Sequence, residues 1–329
     1  MPGQGSPNGH GASSARMVSA VDERAIELLR GRGWAPGAVL GAGMEGTVVD
    51  LSVELVAKVW HGRTREDLTA LVEFGVALSQ ASVPFATPRV VDVLEGDDLV
   101  ITIERKVQGE SLRPGGTTPP ATASAEVAQL LGDVLAGLSQ AVVSPGLAVL
   151  PILPGEPSFE GSASFSSSLA DLVDRRFRGC PDLLRREVAD IDGLVAAVVD
   201  GLRNLTEPDP IGLIHGDLVP PNILVQNGGV SGVLDFGFMT TLGDPQFDAA
   251  ITASIFDMYG PHARASEDIL SREFLDRFGQ HPQRYGLYRA AYAVITNAYF
   301  GTDGLDGHFA WCARMLTRPD IRAAVLEPI

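Results

Sequence analysis

The chain has 329 residues, enough for two lobes with a substantial core, and its formal net charge of −16 argues against a nucleic-acid partner. No apolar run approaches the ~18 residues of a membrane helix, and the opening MPGQGSPNGHGASSAR lacks the apolar stretch of a secretory signal, so no membrane partner is expected. Two cysteines, Cys180 and Cys312, are too few for a disulfide framework or a zinc site and fit a cytoplasmic protein.

Residues 1–18 read as a disordered tail rich in Gly, Ser and Pro, with Met17 an alternative start to Met1. A short helix is expected over 20–33, capped by Asp22 and stopped at Gly31. From Val39 the pattern alternates: TVVDLSVELVAKVW (47–60) reads as a β-hairpin. REDLTALVEFGVALSQ (65–80) has helical spacing, and PRVVDVLEGDDLVITIER (88–105) reads as strand, Gly-Asp-Asp turn, strand. AEVAQLLGDVLAGLSQAVV (125–143) is an amphipathic helix. The Pro/Ser/Gly-rich stretch 144–168 is expected as a surface loop or a substrate-side insert. Helices follow over 168–178 and 182–205, short strands and loops surround 213–237, and the chain is helical from Pro245. The expectation is an α+β chain: a small β-rich N-lobe over 19–107 and a larger, mainly helical C-lobe over 108–329.

Three motifs carry chemistry. The first is GAGMEGTVV, with Gly41, Gly43 and Gly46. A dinucleotide site needs strand, glycine turn, helix; here β-branched alternation follows, so the glycines sit in a hairpin of the kind that covers phosphates. The second is Lys58, inside the apolar strand LVAKVW, where a lysine is costly unless paired. Nucleotide phosphates and a helix carboxylate would pair it, Glu73 being the better candidate and Glu66 the alternative. The third is HGDLVPPN with LDFG beyond it, giving His215, Asp217, Leu218, Asn222 and Asp235. Asp217 is expected to accept the proton of an attacking hydroxyl. Asn222 and Asp235 would hold Mg2+ against the phosphates of ATP, or of GTP. His215 is expected to be structural.

With these residues in this order, the chain resembles the aminoglycoside phosphotransferases and related small-molecule kinases, whose fold is protein-kinase-like and bilobal. HGD stands at 215–217 where protein kinases usually have His-Arg-Asp, GDPQFDAA (243–250) resembles the family's Gly-Asp-Pro-x-x-Asp segment, and no Ala-Pro-Glu sequence follows. The resemblance implies that Asp217 is the catalytic base, that Asn222 and Asp235 are the metal ligands, and that Lys58 with Glu73 places the phosphates. It makes Asp248 structural. It makes Ile103 to Lys106 the hinge, with backbone groups of Glu104 and Lys106 on the adenine edge.

The resemblance also implies a hydroxylated, cationic small-molecule acceptor of the aminoglycoside type, and the acidic chain agrees with this. Asp257, Glu267, Asp268 and Asp303 are the candidate acceptor carboxylates. The alternatives are a metabolite kinase for an alcohol such as homoserine, choline or a thiosugar, a macrolide kinase with a more apolar pocket, and a nucleotide-binding pseudokinase. A monomer or homodimer is expected.

Overall fold

The computed structural model describes residues 22–43, 45–96, 98–112, 122–208 and 210–327. The expected tail over 1–18 and Asp97 of the Gly-Asp-Asp turn lie outside them. The chain divides into two compact units, 1–72 with 88–106 and 73–87 with 107–329.

In the first unit, α1 (Glu23–Gly31) starts at Asp22, whose side chain accepts the Arg24 N–H. The antiparallel sheet that follows has strands β1 (Val39–Ala42), β2 (Gly46–Asp50), β3 (Leu55–Trp60), β4 (Val90–Gly96) and β5 (Leu99–Arg105), in the order β1-β2-β3-β5-β4. Helix α2 (Thr69–Gln80) separates β3 from β4, and from Glu73 onward its residues belong to the second unit. Strand alternation sorts the sheet's side chains between two faces. Ala57, Val59, Ile101 and Ile103 pack with Ala25 and Leu29 of α1, while Trp60 and Val100 pack with Leu68 and Leu71 on the other face. Lys58, opposite Thr102 in the register, shares that second face.

The second unit has two small sheets. Strand β6 (Glu110–Ser111) pairs with β8 (Ile223–Gln226), which pairs with β9 (Gly229–Val233), while β7 (Gly212–Ile214) pairs with β10 (Thr241–Gly243). The helices are α3 (Ala125–Ser139), α4 (Phe165–Gly179), α5 (Pro181–Glu187), α6 (Ile191–Arg203), α7 (Pro245–Ile255), α8 (Ala263–Phe278), α9 (Pro282–Thr296), α10 (Gly307–Thr317) and α11 (Pro319–Leu326). Every residue of α9 from Tyr285 to Thr296 is buried, and α4, α7, α10 and α11 pack around it. Phe165, Phe247 and Tyr288 meet edge-on at its centre, with ring centroids 5.5–6.4 Å apart.

This topology runs two loops side by side. One leads from β7 to β8 (215–222) and the other from β9 to β10 (234–240). Because β7 and β10 are partners, and β8 and β9 are partners, both ends of the two loops are tied together.

Two expectations need correcting. The stretch 144–168 is not a surface loop: Leu147, Leu150, Ile152, Leu153 and Phe159 are buried, and the Ile152 carbonyl accepts the Met239 N–H at 2.9 Å. Apart from a short 3-10 turn at Pro145–Leu147 and the start of α4 at Phe165, its apolar residues are spaced between prolines and glycines and pack without a regular element. The single helix over 182–205 is two, α5 and α6. Val188 is extended and Asp190 takes φ 54°, a left-handed conformation that ends one helix before the next begins.

Ile101 is fully buried between the sheet and α1. Ile101→Ala should lower the unfolding free energy by about 2–5 kcal/mol, read from the urea midpoint of the full chain.

Candidate active site

The loop 215–222 is built around a buried carboxylate. Asp248, in the first turn of α7, accepts the His215 N–H through Oδ2 and the Gly216 N–H through Oδ1, both at 2.9 Å. Burial pushes this carboxyl above the usual range, and the two N–H groups and the histidine pull the other way. The same segment caps its own helix with Asp244. That side chain accepts the Gln246 N–H at 2.9 Å, the Tyr288 hydroxyl at 2.7 Å and the Arg284 guanidinium at 2.9 Å. The Gly-Asp-Pro-x-x-Asp segment is therefore a double anchor: one aspartate fixes α7 against α9, the other fixes the catalytic loop against α7.

His215 ties this loop to the next. It is fully buried, with Nε2 2.8 Å from the Leu234 carbonyl and Nδ1 3.2 Å from the Asp217 amide nitrogen. A carbonyl can only accept and an amide N–H can only donate. The ring is thus the neutral tautomer with its proton on Nε2. Thr240 adds a second tie, accepting the Gly237 N–H at 2.8 Å and donating to the His215 carbonyl at 2.7 Å. Phe236 closes over the histidine, with centroids 4.5 Å apart, and touches Phe74 on its other side at 5.6 Å.

These ties set the backbone from which Asp217, Asn222 and Asp235 project. Gly216 has φ 82°, and a Cβ there would lie 2.5 Å from both the Phe238 oxygen and the Met239 Cβ. Glycine is needed between the histidine and the aspartate on both counts. The Asn222 Nδ2 donates to the Asp217 carbonyl at 3.0 Å, which leaves its Oδ1 to face elsewhere. Asp235 also holds a left-handed φ, 63°, and its side chain is exposed. An asparagine oxygen and a carboxylate form the hard-oxygen donor set that suits magnesium, which takes one or two protein ligands and completes its shell with phosphate and water. Among the described residues no group of three His, Cys, Asp or Glu side chains could hold a metal by itself.

In the first unit, Lys58 is mostly buried, lies over the Trp60 ring at 4.0 Å, and pairs with Glu45 of the glycine turn at 3.3 Å. Arg63 reaches the other oxygen of Glu45 at 3.7 Å. Glu45 was not foreseen. It sits inside the glycine motif, and only the hairpin's fold brings it over the lysine. Glu73, the expected partner, is exposed at the start of the second unit. Of the three glycines, Gly46 is required by packing, since a Cβ would lie 2.3 Å from the Val59 oxygen. Gly41 and Gly43 have open space where a Cβ would stand. Packing in this fold makes no demand for them.

Of the expected hinge residues, Ile103 and Glu104 lie within β5, flanked by β3 and β4, and the Lys106 N–H donates to the Glu54 carbonyl in the β2–β3 turn at 2.8 Å. The Glu104 side chain is likewise occupied: it accepts the Thr102 hydroxyl at 2.5 Å, and Thr102 accepts the Trp60 indole N–H.

The four candidate acceptor carboxylates separate. Glu267 is buried on α8 between Arg318 at 2.7 Å and Arg264 and Arg289 at 3.3 Å. It is the hub of an ion network joining α8, α9 and the start of α11. Asp268 is an exposed partner of Arg264 on the same helix, 3.1 Å away. Asp257 is buried and accepts the His262 N–H at 3.1 Å. Asp303 is exposed and accepts the Leu305 N–H at 2.9 Å.

A family model, the APH phosphotransferase enzyme family, matches residues 37–292, and the chain belongs to this family. Comparison with curated protein sequences gave no match. Solved structures with the same fold include the streptomycin–ATP ternary complex of APH(2")-IIa, at 15% identity and TM-score 0.57, covering 93% of this chain and 99% of that one. Macrolide 2'-phosphotransferase MphH from Brachybacterium faecium aligns at 17% identity and TM-score 0.57, covering 90% and 99%. The GDP complex of aminoglycoside 2'-phosphotransferase-IIIa aligns at 16% and 0.60, covering 92% and 98%. At these identities the likeness establishes the fold: α+β, of the protein-kinase-like type these enzymes share.

Asp248→Asn leaves one oxygen for two N–H donors and points an amide N–H at one of them. It should cost about 1–3 kcal/mol of stability, measured by urea unfolding of the full chain, and no catalytic group is removed by the change.

Proposed function

We propose that this protein transfers the γ-phosphoryl group of ATP or GTP to a hydroxyl of a small molecule. The observation that carries this reading is the coupling of loops 215–222 and 234–240 through His215, Asp248 and Thr240. It presents Asp217, Asn222 and Asp235 from backbones with little freedom to move. Such a transfer depends on alignment and charge neutralisation more than on covalent chemistry.

Asp217 takes the proton of the acceptor hydroxyl as its oxygen attacks phosphorus. Asn222, through Oδ1, and Asp235 would hold magnesium, which would supply charge neutralisation on the phosphates. Lys58 gives its ammonium to the phosphates in place of Glu45, and Glu73 is its second carboxylate. Backbone N–H groups of the glycine turn approach the phosphates at Gly41 and Gly43, where nothing in the fold asks for glycine. Backbone groups of Glu104 and Lys106, with Ile103, pair with the adenine edge. The antibiotic phosphotransferases among the structural relatives support a resistance or self-protection role. Asp257 and Asp303 remain as the carboxylates for a cationic group on the acceptor.

Asp217→Ala should reduce phosphoryl transfer by about 10²–10⁴-fold while ATP binding, followed by calorimetry, stays within a few-fold of wild type. Retained turnover would remove the base from the account. Glu45→Gln should lower the KM for ATP about two- to fivefold, because the lysine no longer exchanges an ion pair for the phosphates. An unchanged or raised KM would mean that Glu45 does not compete with nucleotide.

A further inference from the structure

Beyond Asp217, the second unit presents aromatic rings. The Phe238 backbone lies against Gly216, next to the base. The Phe238 ring meets Tyr292 at 6.3 Å and Tyr299, edge-on, at 5.0 Å; Tyr299 meets Phe300 at 5.1 Å. Phe300 and Tyr259 are 51% and 61% exposed, and they are the only exposed aromatic side chains among the described residues. Both touch the buried His308, at 5.3 and 6.4 Å between centroids. The Asp217 carboxylate is among the charges that, after burial, push the phenols of Tyr259 and Tyr292 up.

The polarity of this wall can be read bond by bond. The Thr296 hydroxyl donates its one proton to the Tyr292 carbonyl at 2.8 Å. His308 Nε2, 2.9 Å from the same oxygen, must therefore carry the ring proton and donate. Burial lowers the imidazole's proton affinity, so the ring is neutral and Nδ1 keeps its lone pair. The Tyr259 hydroxyl, 2.9 Å from Nδ1, then donates inward. Its oxygen is left with lone pairs only, and a phenol so held accepts hydrogen bonds from outside but gives none.

We propose that Tyr259 positions the phosphoryl acceptor. Its phenol oxygen accepts a hydrogen bond from an amine or hydroxyl of a molecule whose apolar ring face lies along Tyr299 and Phe300. The acceptor class is then a hydroxylated molecule with an apolar face and one cationic group, not a polycation read by a cluster of carboxylates. An amine agrees with the local charge: Asp306 and Asp217 add a negative field at Tyr259, and the Asp306 Oδ2 is buried with no hydrogen-bond partner among the described residues. Glu267, the most buried of the acidic candidates, is already neutralised by arginines. This inference rests on the phosphotransferase reading and adds the acceptor's chemistry to it.

The test uses the full-length protein with Mg2+ and γ-labelled ATP. One arm offers polycationic aminocyclitol glycosides. The other offers monoamine-bearing macrocyclic or aryl-substituted alcohols. ATP hydrolysis without acceptor is followed in parallel. Transfer should favour the second arm at least tenfold in kcat/KM. On the best compound, Tyr259→Phe should raise the acceptor KM about tenfold with little change in kcat. Phe300→Ala should raise it as well. His308→Phe, which frees the phenol proton, should raise the KM to a similar extent, and the double variant with Tyr259→Phe should be no worse than either alone. Should His308→Phe fold poorly, Tyr259→Phe, a change at an exposed position, decides by itself. Transfer confined to polycations, or an unchanged acceptor KM in Tyr259→Phe, overturns the inference. So does a lack of transfer to either arm with ATP hydrolysis intact, and in each of these cases the kinase reading stands. Absence of both transfer and ATP hydrolysis brings down the two together.

Discussion

One buried carboxylate organises the second unit. Asp248 holds the N–H groups of His215 and Gly216, and through them the start of the loop that carries Asp217 and Asn222. The His215 ring passes the constraint on to Leu234, one residue before Asp235. Asp217 and Asp235 come from different loops, yet the hydrogen bonds of a single imidazole tie their backbones together. An uncompensated buried carboxylate would be costly; two N–H donors supply the compensation, and they tolerate little displacement. The rest of the unit serves this arrangement. Asp244 fixes α7 to the buried helix α9, the pairing of β7 with β10 brings the loops alongside, and the stretch around Ile152 holds Met239 through its carbonyl.

The motifs of the candidate site stand out in the sequence because each is local. His-Gly-Asp, the asparagine five residues on, and Asp-Phe-Gly each lie within a short span, and their order excluded most other readings. The glycine at 216 could even be read as a departure from protein kinases, and the packing of Phe238 and Met239 accounts for it. The parts that were not legible depend on tertiary proximity. Glu45 lies thirteen residues before Lys58 and meets it only across the β2–β3 hairpin. Three arginines on separate segments converge on Glu267, and no one segment shows this. Thr240 is an ordinary residue until its hydroxyl is seen between Gly237 and His215. The stretch 144–168 was misread because composition outweighed the placement of its few apolar residues. Asp244 could have been found: an aspartate before a proline at the start of a helical run is an N-cap signal.

The acidic chain agrees with a cationic acceptor, yet two of the four acidic candidates are occupied by arginines. The chain's total of −16 is a property of its whole surface; acceptor recognition is a property of one local patch. The His308 relay gives the Tyr259 hydroxyl a defined polarity, set by hydrogen bonds between separate segments.

In the proposed reaction the protein would supply only part of a metal site, and nucleotide phosphates would complete it. Electron paramagnetic resonance of Mn2+, used in place of Mg2+ on the full-length protein, tests this. Mn2+ alone should bind weakly, and binding should become tight, with resolved coupling to phosphorus, once a non-hydrolysable ATP analogue is present. Equally tight Mn2+ binding without nucleotide, or the same free-ion spectrum with and without it, would overturn the proposed site.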